Sequence, residues 1–344
     1  MRRLLFVTQQ VDPGHPALAA TVPKIRALAG LVDEVVVLAD GAVEGVLPEN
    51  CRVRTFRAGT RAGRGMRFET ALGSELRGLR GGAVVAHMCP IYAVLAAPLV
   101  RPLRIPLLLW FTHWKASRLL RAAERVSTAV VSVDERSFPL ASGKVRAIGH
   151  GIDLTEFPCV GERPAGETLR LLALGRYSPA KGLDVVIRGV AAVHAADLDV
   201  HGPALSTLEE TTRRELHALV GELGVEDRIR LGDAVPRAEI PSLFAAHDAL
   251  VNNMRAGAVD KVVYEAGASC LPVLASNPVF DGFLDDEQRF ERGDVDALAE
   301  RVAGLASMTA AQRVAAGSRL RDRVRAGHSV ETWAQGIVEA AGIA

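Results

Sequence analysis

Short, almost wholly apolar runs alternate with longer amphipathic stretches along the whole chain, and this alternation constrains the fold more than any single motif. A strand with apolar side chains on both faces must be covered on both, which a parallel sheet wrapped by helices provides. In the first half such runs are Leu4–Thr8, Glu34–Leu38, Ala83–His87, Leu107–Phe111, Ala129–Val133 and Val145–Ile148, with helical stretches at Ala17–Ala29 and Trp114–Val126 among the segments between them. The stretch 149–166, GHGIDLTEFPCVGERPAG, is rich in Gly and Pro, lacks helical period and reads as an interdomain linker. A second series follows, with strands at Arg170–Leu174, Leu198–His201, Ile229–Leu231, Ala249–Val251 and Pro272–Ala275, and helices from Gly182, Thr207, Glu239 and Lys261. Helices at Val295–Leu305, Ala310–Val324 and Ser329–Ala341 close the chain. The expected class is α/β, with domains at 1–150 and 167–327 and a final helix in 328–344.

A chain of 344 residues exceeds one ordinary core, which agrees with two domains. With 41 Lys and Arg against 40 Asp and Glu, the net charge of +1 gives no global reason for a nucleic-acid partner, so any polyanion site must be local. Cys51, Cys89, Cys159 and Cys270 are far apart and form no C-x-x-C pair. That spacing argues against a structural zinc site and a disulfide framework and fits a reducing cytoplasm. The N-terminus turns polar too soon for a signal peptide, and Ile105–Phe111, among the longest apolar stretches, falls well below the roughly 18 residues of a membrane span.

Two segments carry chemistry. In Leu172–Asp184, LALGRYSPAKGLD, an apolar run leads through Gly175, Arg176, Pro179, Lys181 and Gly182 into an amphipathic helix. A strand, a Gly-bearing turn and a helix N-terminus gather N–H groups and two cations around a point suited to a diphosphate, although a βα turn with solvated Arg and Lys has the same pattern. G-x-x-x-x-G-K-[ST] is missing here, and G-x-G-x-x-G is missing after the first strand. Arg57–Arg67, RAGTRAGRGMR, has glycines without a preceding strand and reads as a mobile loop. In Asn252–Asn277 a strand ends, a loop of small residues follows and a helix begins near Asp260. Asp260 is a natural N-cap, Lys261 lies in the first turn, and Glu265, one turn on, is placed either to accept a ribose diol or to form a surface helix pair.

His87 and His113 fall at or just past the C-terminal ends of expected strands, the edge where open α/β sheets bind ligands, and His15 lies on the loop after the first strand. Each is read either as facing a sugar or acceptor or as an ordinary structural histidine. Asp197 and Asp199 have D-x-D spacing but lead into a strand, while Asp294 and Asp296 begin a helix and suit capping, so no metal is expected. Trp114–Arg125, WKASRLLRAAER, is a basic amphipathic stretch that suits a solvated domain helix or a weak peripheral contact with an anionic membrane.

Together these segments resemble glycosyltransferase family 4, a retaining family with the two-domain GT-B fold. The likeness rests on LALGRYSPAKGLDVVI, LDVHGPA, IRLGDAVPRAEIPSLFAAHDALVNN and DKVVYEAGASCLPVLASN, in that order, with looser matches at LLFVTQQVDPGHP, LLLWFTHW and GHGIDLTEF. The resemblance implies two Rossmann-like domains facing across a cleft, with the last helix crossing back to the first. It implies a retaining, metal-independent transfer of sugar from a nucleotide-diphosphate sugar, a co-substrate rather than a cofactor, to a small-molecule, glycan or lipid-linked acceptor. Gly175, Arg176 and Lys181 would hold the diphosphate, with Arg176 and Lys181 stabilising the leaving group and Glu265 binding ribose. Val235, in the loop 232–236, would frame the base through backbone contacts, while Asp260 and Lys261 would border the donor and His113 would lie beside its sugar. One departure stands out. Where the family often has E-x(7)-E, this chain has Gly257 and Glu265. That keeps open a non-catalytic nucleotide-sugar-binding subunit beside the transferase, and the shared two-domain fold leaves an epimerase as a second rival.

Overall fold

The computed structural model describes residues 2–15, 18–79, 81–161 and 168–343. The expected helix start at Ala17 and residues 162–166 of the linker stretch lie outside the described residues. The chain divides into two compact units, Met1–Asp153 with Gly327–Ala344, and Leu154–Ala326. Each unit is a parallel α/β domain, and the sheets have seven and five strands.

In the first unit the strands are β1 (Arg3–Val11), β2 (Glu34–Ala42), β3 (Cys51–Thr55), β4 (Ala83–His87), β5 (Leu107–Trp110), β6 (Ala129–Ser132) and β7 (Val145–Ala147). Their order is β3-β2-β1-β4-β5-β6-β7, so the winding reverses between β1 and β4. Central strands are buried on both faces, as their continuous apolar runs require; Leu4–Val7 and Val35–Ala39 have no exposed surface. β3 has no such run. At this sheet edge Arg52 and Arg54 point outward and clamp the buried Glu75 at 2.8 and 2.5 Å, while Arg3 of β1 also pairs with it.

Helices α1 (Thr21–Ala29), α2 (Arg61–Leu76), α3 (Pro90–Val100) and α4 (Arg118–Val126) belong to this unit. The reading of Arg57–Arg67 as a mobile loop is corrected. Thr60 caps α2 by accepting from the Gly63 N–H at 3.0 Å, and Phe68, Leu72 and Leu76 form its buried stripe. Their four-residue spacing outweighs the helix penalty of Gly63 and Gly65. The helix expected from Trp114 begins only at Arg118, because the Ser117 hydroxyl caps it through the Leu120 N–H at 3.0 Å.

The C-terminal helix belongs to the first unit. It spans Val330–Ala341 and is counted here as α11, after the helices of the second unit. Trp333, fully buried, meets Phe6, His87 and Trp110 edge-on with ring centroids 6.1 to 6.4 Å apart. The buried Lys24 ammonium of α1 lies 4.0 Å from the Trp110 centroid and 5.1 Å from that of Trp333. Cation–π attraction of this kind gains strength out of water, so one lysine ties helix to sheet where an unpaired ammonium would be costly.

The second unit holds β8 (Leu169–Leu174), β9 (Ala196–His201), β10 (Ile229–Gly232), β11 (Ala249–Asn252) and β12 (Val273–Ala275), ordered β10-β9-β8-β11-β12. Its helices are α5 (Leu183–Ala191), α6 (Thr207–Leu223), α7 (Ile240–Ala246), α8 (Lys261–Ala268), α9 (Val295–Ser307) and α10 (Ala310–Gly327). One core cluster lies between the sheet and helices α5, α6 and α9, around Val186, Leu198, Leu216 and Leu298. The entering segment 154–160 is fastened to this unit. Phe157 packs 6.1 Å from Phe244, the Val160 N–H donates to Ser269 O at 2.8 Å, and the Arg321 guanidinium donates to Phe157 O at 2.6 Å. Cys159 and Cys270 are disulfide-bonded. This corrects the sequence reading against a disulfide: 111 residues separate the pair, but folding brings the Cα atoms to 4.9 Å. The cysteine spacing therefore says nothing about redox compartment. No described helix is long and apolar enough to cross a membrane.

Burial pushes His87 well below the usual histidine value, with the Lys24 charge adding to it, and burial pushes His328 down to about 4. Between those native values and the ordinary value near 6.5 the unfolded chain binds more protons, so stability present above about pH 6.5 is lost as pH falls. Thermal melts from pH 7.5 to 5.0 are expected to show this loss, with a slope approaching about 1.4 kcal/mol per pH unit for each histidine. His87→Phe, which keeps the stack without the titrating ring, should flatten the profile; an unchanged slope would remove His87 as its source.

Candidate functional site

In the second unit the winding reverses between β8 and β11, and at such a reversal the loops from the two carboxyl ends diverge to leave a crevice. Gly175 follows β8 and Asn253 follows β11. Gly175 has φ +132°, and a Cβ there would lie 2.4 Å from Lys181 Nζ, so glycine is what lets the lysine fold back under the turn. The ammonium donates to Leu174 O at 3.0 Å and to the Asp260 carboxylate. Asn252 Nδ2 donates to the same Asp260 Oδ2 at 2.7 Å. Asn253 Nδ2 donates to Gly182 O at 2.9 Å and Ser276 Oγ to Asn253 Oδ1 at 2.7 Å, joining both loops into one rigid floor.

Two helices begin here, α5 after Gly182 and α8 after Asp260, and neither has a side-chain cap. Asp260 stands at the N-cap position of α8, as its sequence suggests, but its carboxylate turns to Lys181 and Asn252 instead. The N-cap expectation is corrected in that respect: a full positive charge attracts the carboxylate more strongly than peptide N–H groups do. Both helix starts keep the positive end of their dipole uncapped by side chains.

Glu265 lies one turn into α8 and is 5% exposed. Lys261 and Arg237 reach its Oε1 at 2.8 and 2.9 Å, and Arg237 continues to Glu156 in the entering segment at 2.5 Å. The helix pair with Lys261 that the sequence allowed is therefore present, but buried rather than at the surface. Burial alone raises a carboxyl pKa; Lys261 and Arg237 outweigh it and hold Glu265 below the usual range. Arg176 does not join Lys181 on a shared partner. Its exposed guanidinium pairs with Glu209 at the start of α6, at 3.2 Å. The loop with Val235 follows β10, anchored where the Tyr177 hydroxyl donates to Gly232 O at 2.6 Å. Gly257 has φ +77°, a left-handed conformation in which a glutamate would be strained.

The three histidines lie in the first unit and are placed differently from one another. His15 Nδ1 accepts from the Leu18 N–H at 3.0 Å, which turns the loop after β1 into α1. His113, exposed on the loop after β5, accepts from the Lys115 N–H at 3.0 Å and stacks on Trp114. His87 is 4% exposed and stacked 4.8 Å from Trp110, its ring nitrogens unpartnered among the described residues. Of the two readings of His87, burial favours the structural one: the strand end reaches the sheet edge, but the aromatic cluster takes the ring inward.

No three His, Cys, Asp or Glu side chains are gathered to hold a metal ion among the described residues. Asp199 accepts from His247 Nε2 at 3.0 Å, and Asp294 caps α9 through the Ala297 N–H at 2.9 Å. Sequence reading missed Arg237, Asn252, Asn253 and Glu209 as site residues. A pair of asparagines ending an apolar strand was a usable signal, since buried amides there must find partners. Nothing local marks Arg237, whose partners lie 28 and 81 residues away.

Residues 168–308 match the family described as glycosyl transferases group 1. The D-inositol 3-phosphate glycosyltransferase of Salinispora tropica is 32% identical over 155 residues, 39% of this chain and 32% of that protein. The GDP-mannose:cellobiosyl-diphosphopolyprenol alpha-mannosyltransferase of Xanthomonas campestris is 22% identical over 58% of this chain and 53% of that one. The match thus spans about a third to a half of these relatives' length. Among solved structures, Anabaena Alr3699/HepE in complex with UDP aligns with a TM-score of 0.77 at 18% identity, over 99% of this chain and 100% of that one. Sucrose-phosphate synthase from Thermosynechococcus elongatus aligns with a TM-score of 0.75 at 17% identity, over 98% of each. The chain has the GT-B fold, and residues 168–308 of its second unit resemble the glycosyl transferases group 1 family.

Proposed function

We propose that the chain is a retaining, metal-independent glycosyltransferase that moves a sugar from a nucleoside-diphosphate sugar to a hydroxyl acceptor. One observation carries this reading: Lys181 and two helix N-termini without side-chain caps meet at the strand reversal of the unit that matches the family. Anabaena Alr3699/HepE also has a structure in complex with UDP-glucose, which supports a nucleotide sugar as donor.

In the proposed reaction the acceptor oxygen bonds to the anomeric carbon as that carbon's bond to the phosphate oxygen breaks. The bonding pair leaves with the diphosphate, which also takes the acceptor's proton, so no protein nucleophile is needed. Negative charge grows on the leaving oxygens, and Lys181, Arg176 and the N–H groups of α5 and α8 stabilise it. Glu265, kept anionic by Lys261 and Arg237, accepts from the ribose hydroxyls, and the backbone around Val235 borders the base. His113 faces the donor sugar in this reading, and His15 the acceptor. The acceptor is a small molecule, a glycan or a lipid-linked sugar, the last with weak membrane contact. A cytoplasmic location belongs to the same proposal; the Cys159–Cys270 bond must then persist against a reducing pool, which the burial of Cys270 favours.

Left-handed Gly257 in place of a glutamate favours a second reading, a nucleotide-sugar-binding subunit without turnover. A mass-spectrometric screen of mixed nucleotide sugars and acceptors separates the readings. Transfer product supports the first, bound donor without turnover the second, and an altered donor alone an epimerase.

Calorimetry with a nucleoside diphosphate should give the same affinity with and without chelator; a collapse on chelation would sink metal independence. Lys181→Ala should lower kcat by on the order of 10² to 10³ while changing donor affinity far less, because the charge matters most as the diphosphate departs. Unchanged kcat would take Lys181 out of the reaction. Glu265→Gln should weaken charged hydrogen bonds worth roughly 1.5 to 3 kcal/mol, raising KM for donor about ten- to a hundredfold with a smaller change in kcat. A 2′-deoxyribose donor should lose much less, and equal losses would end the ribose assignment.

A further inference from the structure

We infer that Asp260 is an internal counter-charge seated where the donor's diphosphate must act, which nucleotide binding has to displace from Lys181. The inference rests on the donor reading above and departs from the expectation that Asp260 itself holds the donor.

Three observations carry it. The carboxylate stands at the N-cap position of α8 yet makes no capping bond, and accepts from Lys181 and, at 2.7 Å, from Asn252. Lys181 is enclosed: its side chain is 12% exposed, its remaining acceptor is Leu174 O at 3.0 Å, and that of Asp260 is 17% exposed. An anion that uses this ammonium therefore shares it with Asp260 or replaces it. Finally, the first turn of α8 and that of α5, which follows left-handed Gly182, are both without a side-chain cap.

The chemistry follows from like-charge repulsion. A diphosphate brought to Lys181 meets the Asp260 carboxylate at close range, where like charges repel more strongly near a protein surface than in bulk water. Donor affinity is lowered by that repulsion and by the ion pair that must open. Asp260 thus tunes how tightly the donor, and the nucleoside diphosphate left after transfer, is held. The exit of that product gains from the carboxylate's return to Lys181.

The test is calorimetry on the full chain with inorganic pyrophosphate, UDP and GDP, for wild type, Asp260→Asn, Lys181→Ala and the double variant. Asp260→Asn, which keeps the side-chain shape, should tighten pyrophosphate and the preferred nucleotide by about ten- to a hundredfold. The gain should shrink in the Lys181→Ala background, where no ion pair has to open and only the like-charge repulsion is relieved, which separates displacement from a general change in surface charge. Melting curves for every variant check folding, and Asp260→Ser serves if Asp260→Asn melts early. Weaker or unchanged binding in the folded variants, or a gain undiminished by loss of Lys181, overturns the inference while leaving the donor reading intact. Tighter pyrophosphate with no nucleotide exceeding it supports the counter-charge and overturns the donor reading. No binding of any probe to any folded variant overturns both.

Discussion

The reversal of strand order between β8 and β11 is the constraint from which the site follows. Loops leaving the carboxyl ends of those strands run to opposite faces, so α5 and α8 both start at one place and present peptide N–H groups to it. Two glycines with positive φ, Gly175 and Gly182, let the first loop fold tightly enough for Lys181 to reach back to Leu174 O. A buried hydrogen-bond chain from Ser276 through Asn253 to Gly182 then holds the two loops in register.

Charge is handled by one device throughout. Buried Glu75 in the first unit and buried Glu265 in the second each meet more than one cation, which keeps them ionised where burial alone would favour protonation. At Glu75 the network pins an edge strand and a helix to the sheet. At Glu265 it joins α8 to the loop after β10 and, through Arg237 and Glu156, to the segment entering the unit. A carboxylate held in a single orientation can recognise a diol, and the same network gives the helix its place. Lys24 solves the reverse problem, a buried ammonium, with the faces of Trp110 and Trp333.

Much was legible in the amino-acid sequence alone because the physics behind it is local. Apolar runs marked nearly every central strand, the Gly- and Pro-bearing turn before Leu183 marked the start of α5, and the two-unit division followed from the repeated pattern. Edge strand β3 was missed because Arg52 and Arg54 break its apolar run, and the buried Glu75 that neutralises them lies more than 20 residues away. Helix α2 was missed because its glycines are conspicuous in sequence while its stripe of Phe68, Leu72 and Leu76 gains meaning only against the sheet.

The sequence by itself determined the α/β class, the two series of strands and helices, and the segments that hold the cationic turn and the start of α8. Tertiary structure alone decided which distant charges meet. Lys181 and Asp260 are 79 residues apart, Arg237 and Glu156 are 81 apart, and Cys159 and Cys270 are 111 apart. No local propensity encodes such pairs, because whether a carboxylate caps its own helix or turns to a distant lysine depends on what the fold brings within a few ångströms of it.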